Sequence, residues 1–299
     1  MAQSSILVTG ATGAQGGSVA RHLLEQGRFR VRALTRNPAG EKADALRQLG
    51  AEVVVGTMAD PDSLRAAMTG CHGVFGVTNF WEAFDKELDL GKNLIDAVAA
   101  SGVEHFVFSS LPHAYQMSGG ELSVPHFDIK AKLADYATKL GLPMTQVHVA
   151  FYYENFLSFF PPRKQEDGTY TFGFPQGDTN LAAVSVADTG GVVAQVFADR
   201  ERFLNRTIGI VGEDMPPAHY AQVLSKVLHK SVVYHHVPRH TFAAFGFPGA
   251  DDLANMFDFN RRYILSRQGD MDESKRLYSG MQSFEAWVAA NRQAFEGVL

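Results

Sequence analysis

Gly10, Gly13 and Gly16, within Gly10-Ala11-Thr12-Gly13-Ala14-Gln15-Gly16, are the residues whose type and spacing speak most directly of chemistry. Such a triplet lets the backbone turn tightly, approach a pyrophosphate without Cβ interference and aim the amides of a following helix at its charge. Its context makes it specific, because it follows the first apolar run, Ile6-Leu7-Val8, and precedes a helical stripe. A dinucleotide site is expected, with a plain tight turn as the alternative. An NAD(H) site expects an acid ~20 residues past the glycines to bond the ribose 2′-hydroxyl. Here the second apolar run ends in Thr35-Arg36-Asn37 instead. A guanidinium grips a 2′-phosphate through paired charge-assisted bonds and gives a hydroxyl no special advantage, so NADP(H) is expected; a solvated surface arginine is the alternative.

Hydride transfer to a carbonyl also needs a proton donor and a group that positions the acceptor. A resemblance to the tyrosine-x3-lysine pair of short-chain dehydrogenases implies Lys130, with His126 four residues earlier, and Tyr152 as the candidate catalytic residues. An imidazole with an ordinary pKa of ~6.5 can donate near neutrality, and Lys130 can act as a base. The alternatives are a ribose-contacting Lys130 and a His126 that caps its helix. Ser109 and Ser110 are expected to end the fifth strand, where they would touch ribose or substrate or satisfy loop backbone. Tyr152 and Tyr153 are adjacent, so in an extended chain they face opposite ways and one belongs to the core. No metal is expected: His235 and His236 diverge on one strand, and no Cys or acid sits at ligand spacing. There is no Gly-x-Ser-x-Gly elbow. Cys71 reads as an inert core thiol, and Phe242, Phe245, Phe247, Phe257 and Phe259 read as core or as a substrate or partner cover.

The elements that must hold these residues alternate as strand and helix from Ser4, the pattern of a mostly parallel sheet covered on both faces. Strands are expected at Ile6–Val8, Phe29–Leu34, Glu52–Val55, Val74–Val77, Val103–Phe108 and Met144–Val149. Helices are expected over Ala14–Gln26, over Glu41–Leu49, from a cap at Asp62 or Ser63 to Met68, over Phe84–Ala100, and from His126 toward Gly141. Beyond Phe151 the rhythm breaks at Pro161-Pro162, Asp167-Gly168 and Phe174-Pro175, around a Tyr170–Phe172 strand. Val184–Phe197 returns to strand, turn and helix; Thr207–Val211 is a strand, Tyr220–Leu228 a helix and Ser231–Val237 a further strand. The expected class is α/β, a doubly wound mostly parallel Rossmann sheet with a smaller C-terminal α+β lobe. Residues 1–155, completed by segments within 184–214, form the cofactor domain; 156–183 and 215–299 form the lobe for substrate or partner.

The 299 residues carry a formal charge of −5 and are 45% hydrophobic, 20% charged and 11% aromatic, which excludes disordered and collagenous classes. With no basic block longer than Arg261-Arg262, neither direct nucleic-acid binding nor a grip on an anionic membrane is expected. A single cysteine and no apolar run near ~20 residues point to the cytosol.

Gly10-Ala-Thr-Gly-Ala-Gln-Gly-Gly17, Thr78-Asn-Phe-Trp-Glu82, His126-Phe-Asp-Ile-Lys130, Tyr152-Tyr-Glu-Asn-Phe156 and the stretch from Phe245 to Phe257 resemble segments of NmrA-like proteins, which are atypical short-chain dehydrogenases/reductases. The resemblance covers essentially the whole chain. It implies that Gly10–Gln15 and Arg36–Gly40, with Asn37, hold the diphosphate and the 2′-phosphate. It further implies that Asp60 lies near the adenine, that Thr78, Asn79 and Phe80 line the cofactor, and that Lys130, Tyr152, Tyr153, Glu154 and Asn155 lie near the nicotinamide. Classical short-chain dehydrogenases carry a tyrosine where this chain has His126, which departs from their mechanism. Members of the family are described as NADP(H)-sensing regulators that bind protein partners, and relatives resembling isoflavone reductase transfer hydride. The expectation is a redox-sensing regulator acting through a protein partner, with an NADPH-dependent reductase of small carbonyl, quinone or imine compounds as the alternative. A homodimer is an open alternative for its assembly.

Overall fold

A computed structural model describes residues 3–299. Along the first half run β1 (Ser5–Val8), α1 (Ala14–Gln26), β2 (Arg30–Thr35), α2 (Glu41–Gln48), β3 (Glu52–Val55), α3 (Pro61–Met68) and β4 (Gly73–Gly76). There follow α4 (Phe80–Ala83), a 3-10 turn (Phe84–Lys86), α5 (Glu87–Ser101), β5 (His105–Ser110), α6 (Ala114–Met117), α7 (Pro125–Lys139), β6 (Met144–Val149) and β7 (Phe151–Tyr152). The second half holds β8 (Arg163–Lys164), β9 (Tyr170–Phe174), β10 (Leu181–Val184), α8 (Thr189–Ala198), α9 (Arg200–Phe203), β11 (Thr207–Ile210), β12 (Glu213–Met215) and α10 (Pro217–Leu228). The chain ends with β13 (Val232–His236), α11 (Arg239–Ala243), α12 (Ala250–Tyr263), α13 (Gln268–Leu277), α14 (Phe284–Ala290) and α15 (Arg292–Glu296).

The chain divides into two compact units: one of residues up to Pro112, His126–Val149 and Ala187–Ile208, the other of His113–Pro125, Ala150–Val186 and Gly209–Leu299. The central sheet has seven strands in the order β11-β6-β5-β4-β1-β2-β3. β1 pairs in parallel with β2 on one side and β4 on the other, and the chain winds outward from both. The gap beyond the C-terminal ends of β1 and β4 is therefore the topological switch point, where ligands of such sheets bind. The fold is the α/β class the rhythm implies, because strands covered on both faces, such as β4 and β5, are wholly buried and carry continuous apolar runs.

Two glycines set how closely the covering helices approach. A Cβ on Gly190 in α8 would lie 2.2 Å from Ser18 O in α1. The same Ser18 donates its hydroxyl to Ala187 O at 2.5 Å and accepts from Gly190 N at 2.9 Å. A Cβ on Gly91 in α5 would lie 2.3 Å from Leu133 Cδ1 in α7, so α5 and α7 are close neighbours.

Two local expectations are corrected. The helix expected over Phe84–Ala100 opens as the 3-10 turn and is α-helical only as α5, and Phe84, at φ 40° and ψ −112°, separates it from the short α4 that precedes it. The cap of α3 is Asp60, whose side chain accepts from Asp62 N and Ser63 N with Pro61 opening the helix. Ser109 and Ser110 end β5 as expected, and Ser110 donates to Lys130 O at 3.2 Å.

The second unit has two three-stranded sheets, β12-β10-β7 and β13-β9-β8. Its core is aromatic, with Phe174 stacked on Phe257 at 4.4 Å and Phe156 against Phe172, Tyr220 and Phe284. Of the five C-terminal phenylalanines, Phe242, Phe257 and Phe259 are buried in it, whereas Phe245 and Phe247 are exposed. Among the described residues, no helix is long and apolar enough to cross a membrane.

Candidate functional site

The loop after β1 is pinned to the end of β4 by Thr9, whose amide donates to Phe75 O at 3.0 Å and whose hydroxyl accepts from Val77 N at 3.0 Å. Gly10 takes φ +59°, and a Cβ there would lie 3.0 Å from Val77 Cγ1. The turn closes with Gly13 N donating to Gly10 O at 2.8 Å. At Gly16 a Cβ would fall 2.3 Å from Gly10 O and 2.5 Å from Thr9 O, so the helix start lies directly on the loop backbone. α1 begins from Gly13 without a side-chain cap. Ala11 is buried, while Gly10, Gly13 and Ala14 are exposed and Thr12 and Gln15 half-buried, leaving a backbone rim open to an anion.

At the end of β2 the Thr35 hydroxyl accepts from Asn37 N at 3.1 Å, which turns the chain outward at Arg36. Arg36 is exposed, and its Nη2 lies 3.2 Å from Oε2 of Glu82 in α4. Gly40 starts α2 and donates its amide to Asn37 O at 3.4 Å. Asp60 uses Oδ1 for its cap, at 3.0 Å from Asp62 N.

Beyond β4, Thr78 is buried and meets Lys130 of α7. Lys130 Nζ donates to Thr78 O at 2.9 Å, to Thr78 Oγ1 at 2.7 Å and to Oε1 of Glu87. An ammonium has three N–H donors, and all three are engaged. Glu87 is fully buried in the first turn of α5, and its Oε2 has no hydrogen-bond partner among the described residues. Burial pushes the Lys130 ammonium below its ordinary range, and the Glu87 carboxylate opposes that shift. The pair exists because Gly91, one turn after Glu87, admits Leu133, nearly one turn after Lys130.

His126, one turn before Lys130, is buried among rings: Phe127 at 4.7 Å, Trp81 at 5.3 Å and Phe80 at 5.9 Å between centroids. Asn79 precedes α4 and accepts from Ala83 N at 3.1 Å.

Tyr152, Tyr153, Glu154 and Asn155 belong to the second unit. Tyr152 is half-buried at the end of β7. Tyr153 is fully buried, with Phe284 at 5.0 Å and Trp287 at 5.6 Å. The Glu154 carboxylate accepts from Ser185 Oγ and Val186 N, both at 3.0 Å, and the Asn155 carbonyl accepts from Phe160 N at 2.8 Å. Within the first unit, then, the structure brings together the glycine loop with the end of β4, Arg36 with α4, and Lys130 with Thr78. Glu87 and Glu82 were not singled out from sequence: an acid in the first turn of a helix is commonplace, and its cross-helix partner leaves no local signal.

Cys71 is buried, and burial pushes its thiol up. Among the described residues no group of three or more His, Cys, Asp or Glu could hold a metal ion.

Residues 2–288 match the model of the NmrA-like family. The NmrA-like family domain-containing oxidoreductase FrzB of Cladobotryum sp. is 34% identical, over 91% of this chain and 89% of its own. The structure of NmrA, a negative transcriptional regulator, in complex with NADP superposes with a TM-score of 0.84, covering 100% of this chain and 99% of that one at 24% identity. NADPH-dependent quinone oxidoreductase QOR2 from Escherichia coli, complexed with NADPH, gives 0.80 at 23% identity, over 95% and 99%. With the family model spanning nearly its whole length and a glycine loop and Lys130 set on the matching fold, the chain belongs to the NmrA-like family.

Proposed function

We propose that this protein binds NADP(H) at the glycine loop and acts as a redox-sensing regulator of a protein partner. The cradle fits a pyrophosphate, because Gly10 and Gly16 leave no room for a Cβ and the uncapped start of α1 stands behind them. Arg36 is the residue that would hold the 2′-phosphate, with Asn37 and Gly40 beside it, and Asp60 would lie near the adenine. Thr78, Asn79, Phe80 and Lys130 would line the cofactor beyond β4. The complexes reported for NmrA with NADP and for QOR2 with NADPH support that choice of cofactor.

The observation that carries the regulatory reading is the full engagement of Lys130. Bound NADPH supplies a hydride, but a reductase also needs a proton donor beside its acceptor. Lys130 has no N–H left for a substrate oxygen, and His126 is packed among aromatic rings. Regulation in turn requires different cofactor affinities in two conformations, since equal affinity shifts nothing. A cytosolic address belongs to this reading and is supported by the single cysteine; a homodimer is one form the partner could take.

The reductase reading is favoured by a specific observation, the oxidoreductase name of a relative 34% identical over nine-tenths of the chain. NADPH oxidation against a panel of aldehydes, ketones, quinones and imines separates the two, with Lys130→Ala and His126→Ala alongside. The regulatory reading expects NADPH binding without substrate-dependent turnover. Turnover abolished by either variant would establish the reductase instead.

A further inference from the structure

We infer that Glu82 is an internal occupant of the 2′-phosphate position, so that NADP(H) releases the α4 turn from Arg36 and NAD(H) does not. The inference rests on the proposal that Arg36 recognises the 2′-phosphate, and it names the residue that lets the protein answer to that phosphate rather than to cofactor in general.

The contact is one bond, Arg36 Nη2 to Glu82 Oε2 at 3.2 Å, with the two side chains 74% and 61% exposed. Such a pair is worth little, because water and salt screen it. A phosphate monoester carries ≈ −1.5 to −2 charge and presents several oxygens to the guanidinium fork. It therefore outcompetes the carboxylate for Arg36, whereas a neutral ribose hydroxyl leaves the ion pair standing.

The carboxylate rides on a short, strained element. α4 is a single turn, Phe80–Ala83, and Phe84 directly after it holds φ 40°, ψ −112°, a conformation that bulky side chains rarely adopt. Strain at the joint lowers the cost of moving the turn once Arg36 lets go. The turn also bears Phe80 and Trp81, which pack on His126 one helical turn from Lys130. Exchange of Glu82 for a phosphate at the adenosine end is thereby transmitted to the residues expected at the nicotinamide end.

Trp81 is one of two tryptophans and reports on the turn; Trp287 lies in the other unit. Tryptophan emission of the full chain is titrated with NADP⁺ and NAD⁺, which differ only in the 2′-phosphate, and Trp81→Phe assigns the signal. Saturating NADP⁺ should change Trp81 emission and saturating NAD⁺ should not. Glu82→Gln should show the NADP⁺-bound emission without cofactor and bind NADP⁺ up to about fivefold more tightly, with NAD⁺ affinity unchanged. Equal emission changes with both cofactors, or a Glu82→Gln chain that keeps the wild-type response and affinity, would overturn the inference. Arg36→Ala separates this from failure of the underlying site: if it leaves the NADP⁺ preference intact, the 2′-phosphate assignment itself falls. If that preference is lost while Glu82→Gln is silent, only the latch falls.

Discussion

Replacing Glu87 by Gln should destabilise the protein by about 3 kcal/mol, because it strands a buried ammonium. Glu87 is 0% exposed and Lys130 11%, so water can hydrate neither end once the charge pair is broken. Removing one partner of a buried pair costs roughly 3–5 kcal/mol, and the lower end applies because the amide oxygen still accepts one N–H. Adding Lys130→Met should restore at least half of the loss, since no charge is then left unpaired. Urea unfolding of the four chains, followed by circular dichroism and by fluorescence to check that the transitions coincide, gives the coupling. A Glu87→Gln chain within about 0.5 kcal/mol of wild type, together with an additive cycle, would refute the pairing. The pH dependence has a definite sign. Burial holds the folded Lys130 pKa below its unfolded value of ~10.4, so between the two the unfolded chain binds the extra proton and stability rises with pH. Lys130→Met should lack that rise, and Glu87→Gln should extend it toward lower pH.

Gly16→Ala should weaken NADP⁺ and NAD⁺ alike by at least about tenfold in calorimetric titration, because its Cβ would sit 2.3 Å from Gly10 O; unchanged affinity would place the cofactor elsewhere. Gly190→Ala should lower stability by about 1–3 kcal/mol through the clash of α8 with Ser18 O, read as a shift in the urea midpoint. His105 should make stability fall as pH drops from ~6.5 toward about 4, since burial lowers its folded pKa to about 4 and the unfolded chain binds the proton first. Its Nε2 faces the Thr145 hydroxyl, which donates to Phe203 O, so Nε2 carries the proton and Nδ1 has no partner among the described residues with which to stabilise a second one. His105→Gln should flatten this part of the thermal stability profile.

Strands β1, β4 and β5 were legible because burial on both faces of a parallel sheet demands apolar residues, the edge strand β3 because its valines are β-branched, and Gly27 and Gly102 marked helix ends by their left-handed backbone. The glycine loop was legible for the same local reason: each glycine answers a steric demand within a few residues of itself. What sequence could not show is what depends on distant segments. Gly91 looks like an unremarkable helix residue until Leu133 is laid against it, and Glu87 looks like an ordinary first-turn acid until α7 brings Lys130 to it. Arg36 was visible as a cation at the right place, but its ion pair with Glu82, 46 positions away, was not. The 3-10 start at Phe84 was hidden because the apolar spacing of Phe84–Ala100 fits one helix and the residue type gives no sign of a positive φ. The strands β7, β8 and β12 were missed because two or three residues carry no periodicity, whereas α12 is amphipathic enough to have been read and was passed over as part of an aromatic stretch.

The central claim is that Arg36 and the glycine loop form an NADP(H) site, and calorimetric titration of wild type and Arg36→Ala with NADP⁺ and NAD⁺ tests it most directly. Losing charge-assisted hydrogen bonds to the phosphate, worth about 1.5–3 kcal/mol, should weaken NADP⁺ by about 10- to 100-fold and leave NAD⁺ within about twofold. Equal weakening of both cofactors, or of neither, would contradict the assignment.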